Sequence, residues 1–201
     1  MLIGLYFGSF NPIHVGHLII SSHIANNSNL DEVWLVVSPK NPFKNSQTLL
    51  NENHRLNLAR TAIEGEKKIK VSNVEFKLPK PSYTINTLTY LKEKYPEREF
   101  VIIMGSDSFQ NLPNWKNAEL IAKNHTIYIY KRQGFDIVNS LNASIKVIDA
   151  PLLEISSTHI RNLLALGKSI RYLVPDNVKD EIEANQYYIS ALENPSKKQT
   201  T

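Results

Sequence analysis

Short apolar runs punctuate the chain at Leu2–Phe7, Val33–Val37, Phe100–Met104, Thr126–Tyr130 and Ile145–Ile148, several of them β-branched or aromatic. Their apolarity is continuous rather than alternating, which predicts strands covered on both faces, as in a parallel sheet. Between them lie segments with helical spacing, one carrying Leu56, Ala59, Ala62 and Ile63, another Ile85, Leu88 and Leu91. Strand followed by helix, repeated, predicts an α/β fold: a Rossmann-like doubly wound parallel sheet with right-handed crossovers. A small helical C-terminal subregion follows. Ile160, Leu163 and Leu164 form a stripe that Gly167 can end as a left-handed residue, and Pro175 suits the first turn of a last helix with Val178 and Ile182. Asn41–Asn53, rich in Asn, Ser and Thr, predicts a surface loop, and a loop that long is often functional.

The 201 residues suit one domain, expected over residues 1–190, with 191–201 as a disordered polar tail. With 42% hydrophobic and 21% charged residues the chain is expected to fold. The absence of cysteine excludes disulfides, thiolate catalysis and Cys-ligated metals, and fits a reducing compartment. Met1 leads into a short apolar segment with no basic flank, and no run nears the roughly 18 apolar residues of a spanning helix. A cytoplasmic protein with no membrane partner is expected. The net charge of +4 is spread along the chain rather than gathered in a basic block, which favours steering of phosphorylated ligands over nucleic-acid binding.

The most informative segment follows the first strand: Gly8-Ser9-Phe10-Asn11-Pro12-Ile13-His14-Val15-Gly16-His17, then the apolar Leu18, Ile19 and Ile20 of a predicted helix. In a doubly wound sheet, ligands bind where strand-to-helix loops meet helix N-termini, whose free N–H groups favour anions. Gly8 would let the backbone approach a phosphate, Gly16 would leave space beneath a nucleotide, and His14 and His17 could point from one turn toward the same phosphate chain. His23, His54, His125 and His159 are expected to be structural. Far along the chain, Ile155-Ser156-Ser157-Thr158-His159-Ile160-Arg161 opens another helix. Its hydroxyls can cap that helix, and Arg161 can offer a bidentate fork to phosphate oxygens.

Together the two segments resemble the H-x-G-H and I-S-S-T-x-I-R signatures of the nucleotidylyltransferase superfamily. Within it the chain is similar to bacterial nicotinate-nucleotide adenylyltransferases, on Ser82-Tyr83-Thr84 with Thr87-Leu88, Met104-Gly105-Ser106-Asp107, Trp115, Lys131-Arg132 with Gly134, and Leu173-Val174-Pro175 with Val178. The likeness spans about residues 1–190. Ser9 and Asn11 stand where the family often has Thr and Asp, and Asn41-Pro42-Phe43-Lys44 is a variant of its usual loop.

The resemblance implies transfer of AMP from ATP to nicotinic acid mononucleotide, with loss of pyrophosphate and with Mg²⁺ as cofactor, in NAD biosynthesis. It implies that His14, His17 and Arg161 are catalytic and that Gly8, Ser9, Phe10, Gly16, Gly105, Asp107, Ser157 and Thr158 bind ATP. Thr84, Trp115 and Lys44 would bind the acceptor, and Asp107 is the one carboxylate offered as a remote metal contact. Gly105–Asp107 could equally be a capped turn, and Trp115 core packing. Three other functions compete. A phosphopantetheine adenylyltransferase would lack a reason for Ser82-Tyr83-Thr84 and Trp115; a class I aminoacyl-tRNA synthetase would need a K-M-S-K-S segment; a nucleic-acid-binding module would need a basic run.

Overall fold

The computed structural model describes residues 1–40, 48–151 and 153–189. Lys44 and the expected tail 191–201 lie outside the described residues. Among those described, six parallel strands form one sheet: β1 (Leu2–Gly8), β2 (Glu32–Val37), β3 (Ile69–Ser72), β4 (Glu99–Gly105), β5 (Ile127–Tyr130) and β6 (Ile145–Ile148). The helices are α1 (Val15–Asn27), α2 (Glu52–Ala62), α3 (Thr84–Lys94), α4 (Ser106–Gln110), α5 (Ala118–Asn124), α6 (Ser157–Ala165) and α7 (Asp176–Ala184), with 3₁₀ turns at Val74–Lys77 and Leu112–Asn114.

Alternate residues of the central strands bury on opposite faces. Ile3 and Leu5 of β1 join Phe100, Ile102 and Met104 of β4 in one core, under α3 and α5. Tyr6 joins Val101 and Ile103 in the other, under α1, α2, α6 and α7. Both faces therefore demand apolar residues, which is why these strands are legible as continuous runs. The strand β3 was not among the predicted strands. It lies at the sheet edge with Lys70 exposed, so Ile69-Lys70-Val71-Ser72 never forms an apolar run.

The strand order β3-β2-β1-β4-β5-β6 reverses direction between β1 and β4. A crevice opens at such a switch, beyond the C-terminal ends of the strands. The C-terminal helices are not a separate body: Val178 and Ile182 of α7 share a core with Leu56 and Ala59 of α2. Gly167 ends α6 as expected, at φ +64, its N–H donating to the Leu164 carbonyl at 3.0 Å while Lys168 N–H reaches Leu163 at 2.9 Å. Pro175 stands one residue ahead of its expected place, capping α7 rather than entering its first turn. The predicted loop ends sooner than expected, because Asn51 accepts from Asn53 N–H at 2.9 Å and starts α2 at Glu52. No helix among the described residues is long and apolar enough to cross a membrane.

Candidate active site

The crevice at the strand-order switch is a cavity of about 630 Å³, within the size range of small-molecule sites. Its walls bring together Gly8, Ser9, Phe10, His14, His17, Thr84, Gly105, Asp107, Trp115, Ser157, Thr158 and Arg161, residues spread over the whole chain. Gly16 is the one predicted member among the described residues that stands behind the wall. A Cβ there would lie 3.1 Å from His14 Cε1 and Nδ1, so this glycine makes room for the His14 ring. Gly8 acts similarly: a Cβ would meet the Phe10 ring at 2.7 Å. Phe10 itself is buried at φ +45, its ring edge-on to Tyr6 and His17. Its contribution to the cavity is thus to support the His17 ring.

The two histidines are organised by the start of α1. His14 is the N-cap, and its backbone N–H donates to His17 Nδ1 at 3.3 Å, so an imidazole fills the place that Glu or Gln takes in a capping box. That bond puts the ring proton of neutral His17 on Nε2. The rings stack at 3.6 Å between centroids. His14 is buried, and burial, reinforced by the Arg132 charge, lowers its pKa from the ordinary 6.5 to about 4.

A stability prediction follows from this depressed value. Below about pH 6.5 the unfolded chain takes a proton that the folded chain refuses at His14. The stabilisation is complete above that pH and is lost as pH falls toward about 4. Between pH 7.5 and 4.5 the native protein should lose about 2–3 kcal/mol more than His14→Gln. His125, also lowered by burial, adds the same sign to both proteins. Urea titrations at the two pH values test this, and equal losses would mean His14 titrates normally.

The second motif docks onto the first. Ser157 Oγ donates to the Pro12 carbonyl at 2.9 Å, and Arg161 Nη1 donates to the Asn11 carbonyl at 2.8 Å. Ser156 caps α6, accepting from His159 N–H at 3.2 Å. Capping thus falls to Ser156, leaving Ser157, Thr158 and Arg161 on the cavity wall. Across the switch, Gly105 ends β4 against the Tyr130 ring and the Asp107 carboxylate, both of which a Cβ would strike. Asp107 lies 3.6 Å from Arg132. At the far end α3 starts at the wall without a side-chain cap, Trp115 is half-buried against the core, and Lys116 sits 4.8 Å over the Tyr83 ring.

Residues 5–163 match the family model described as cytidylyltransferase-like. The chain belongs to this family. It is 51% identical over 191 residues to a probable nicotinate-nucleotide adenylyltransferase of Cytophaga hutchinsonii, covering 94% of this chain and 98% of that one. It is likewise 51% identical to a protein of the same description from Flavobacterium johnsoniae, covering 94% and 99%. Its backbone superposes on the Plasmodium falciparum nicotinic acid mononucleotide adenylyltransferase complexed with NaAD at a TM-score of 0.80, with 25% identity and 93% and 97% of the two chains covered.

Several residues that shape this cavity were not singled out from sequence. Arg55 is fully buried and donates to the carbonyls of Ser9, Ser38 (2.8 Å), Pro39 (3.0 Å) and Leu50 (2.8 Å), tying the first motif to the end of β2 and the start of α2. Asn11, where the family often has Asp, donates to Thr48 O at 2.9 Å and accepts from Leu50 N–H at 3.1 Å. An Asp could make only the second bond. Arg132 was noted only as part of a family match, and Glu75 not at all; nothing in a linear pattern distinguishes either from a surface charge. Of the histidines expected to be structural, His54 meets Tyr187 Oη at 2.8 Å and His125 approaches the Phe100 carbonyl at 3.4 Å.

Proposed function

We propose that this cavity holds ATP across the β1–β4 switch and nicotinic acid mononucleotide toward Thr84 and Trp115, joining them with release of pyrophosphate. The observation that carries the reading is the meeting of the two phosphate-type motifs and the acceptor wall in one cavity, in a chain of this family. Among the described residues, Lys40, Lys116, Arg132 and Arg161 line it against two carboxyls, Glu75 and Asp107. That balance suits two phosphorylated substrates.

The acceptor's 5′-phosphate oxygen attacks the α-phosphorus of ATP, and the bond to the β-phosphate oxygen breaks. The attacking phosphate is already ionised at neutral pH, so no protein base is needed and catalysis reduces to alignment and charge stabilisation. In this reading His17 Nε2–H donates to the phosphate chain, Arg161 clamps the departing pyrophosphate with Ser157 and Thr158, and Asp107 accepts from ribose hydroxyls. His14, kept neutral, supports His17 without adding a buried charge. The cation is Mg²⁺: among the described residues no cluster of three acidic or imidazole groups is built to cage a metal, and a hard ion held chiefly by phosphates and water needs none. When bound it would neutralise charge on the phosphates, and Asp107 is the carboxylate that would contact it.

The test is incubation with ATP, Mg²⁺ and a panel of nicotinate mononucleotide, nicotinamide mononucleotide and phosphopantetheine, with pyrophosphate as readout. Nicotinate mononucleotide should exceed its amide in kcat/KM by more than tenfold, about 1.4 kcal/mol, because donors at the start of α3 suit a carboxylate and leave an NH₂ unpaired. A ratio near one, or preference for phosphopantetheine, would overturn the acceptor assignment.

A further inference from the structure

On the α3 side of the sheet a second cavity, of about 250 Å³, lies between β2, the edge strand β3, the turn Val74–Lys77 and the second half of α3. It shares no lining residue with the first. Three half-buried rings line it: Trp34 of β2, Tyr90 of α3 and Tyr95 just beyond that helix. The Trp34 indole N–H donates to Glu32 Oε2 at 2.7 Å, and the ring meets Tyr95 and Phe100 edge-on, each 6.1 Å away. The walls also carry Lys70, Lys77 and Lys94 against one carboxylate, Glu32, which the indole engages. Packing accounts for part of this charge: Lys94 lies over the Tyr90 and Tyr95 rings, and Arg98 outside the cavity over Trp34 and Tyr95. Lys70 and Lys77 are left over. Both are exposed, and among the described residues neither has an ion pair, a side-chain hydrogen bond or a ring contact. Lys70 stands opposite Trp34 in the register of the two strands, so ammonium and indole share one face of the sheet.

We propose that this second cavity binds a mononucleotide, its base against Trp34, Tyr90 and Tyr95 and its phosphate at Lys70 and Lys77. Aromatic walls take a flat π-faced group in preference to an aliphatic chain, and stacking tolerates any base. Two free ammoniums from separate elements, the strand β3 and the turn after it, select an anion. A phosphate monoester, with a charge of about −1.5 to −2 at neutral pH, answers both ammoniums, whereas a carboxylate answers one. Lysine suits this role as a point charge that needs no fixed fork geometry. The volume, about 250 Å³ against about 630 Å³ for the first cavity, admits one nucleotide and not a pair. Because the lysines are exposed, the phosphate stays at the solvated mouth while the base is covered, so the rings supply most of the affinity and the charges steer. The site is independent of the reaction assigned to the first cavity.

The experiment is an NMR titration of the isotope-labelled protein with AMP, following the indole N–H resonances of its two tryptophans, Trp34 and Trp115, assigned with Trp34→Phe. Trp34 reports on the second cavity and Trp115 on the first, so occupancy of either is read separately. The Trp34 resonance should shift saturably with a Kd of about 1 mM or tighter. Lys70→Glu combined with Lys77→Glu should weaken that Kd at least about fivefold, while the Trp115 titration stays as in the native protein and shows that the fold is intact. Adenosine and inorganic phosphate, each half of the ligand, should each bind at the Trp34 site at least about tenfold more weakly than AMP. Three results would each overturn the proposal. They are a Trp34 resonance that does not saturate by about 10 mM AMP, a doubly reversed variant within about twofold of the native Kd, and inorganic phosphate as tight as AMP, which would reduce the site to a cationic patch.

Discussion

Replacing His17 by Ala should slow turnover about 10²–10³-fold, the usual loss on removing one preorganised donor aimed at transition-state charge. In the proposed role the ring is oriented by the His14 N–H on Nδ1, by stacking on His14 at 3.6 Å, and by Phe10 edge-on at 5.0 Å. Because Nδ1 also helps cap α1, the Ala variant should lose about 0.5–2 kcal/mol of stability as well. His17→Gln separates the two effects, since Gln at this helix position can accept the same N–H. Its stability should return toward native while its turnover stays low. Steady-state kinetics at saturating ATP beside urea titrations give both quantities. More than a third of native turnover in His17→Ala would refute the assigned role.

Arg161→Ala should cost a similar 10²–10³-fold, and Arg161→Lys should recover little of it. The guanidinium spans two partners at once, Nη1 on the Asn11 carbonyl at 2.8 Å and Nη2 on Thr158 Oγ1 at 3.3 Å. This geometry aims a planar fork along the seam between the two motifs. An ammonium carries the charge but cannot bridge the carbonyl, the hydroxyl and two phosphate oxygens together. The Lys variant should remain at least tenfold below the native kcat/KM for ATP, and near-native kinetics would mean that only charge matters at this position.

Other parts of the molecule show where sequence reasoning stops. The Glu75 carboxyl and the Arg55 guanidinium are both buried. A Glu between Val74 and Phe76, or an Arg beside Leu56, carries no linear mark of burial, since charged residues are buried only where partners from distant segments surround them. Gly8 was expected to let the backbone approach a phosphate, and Gly105 to bind ATP. The Phe10, Tyr130 and Asp107 side chains that fill those positions can be known only once the chain is folded.

The sequence by itself determined the layered α/β plan, because strands buried on two faces must be apolar throughout and helices between them must repeat near 3.6 residues. It also determined the phosphate-type motifs, whose spacing is local: His14 and His17 belong to one helical turn, and Ser156 to Arg161 to another. Tertiary structure alone decided that these motifs share a wall, since the contacts of Ser157 with Pro12 and of Arg161 with Asn11 cross 145 and 150 residues of chain. It decided the edge strand β3, whose single covered face leaves no continuous run. It decided, too, that the pKa of His14 is lowered and that of Glu75 raised, because a pKa shifts through desolvation and neighbouring charge, and both are properties of the fold.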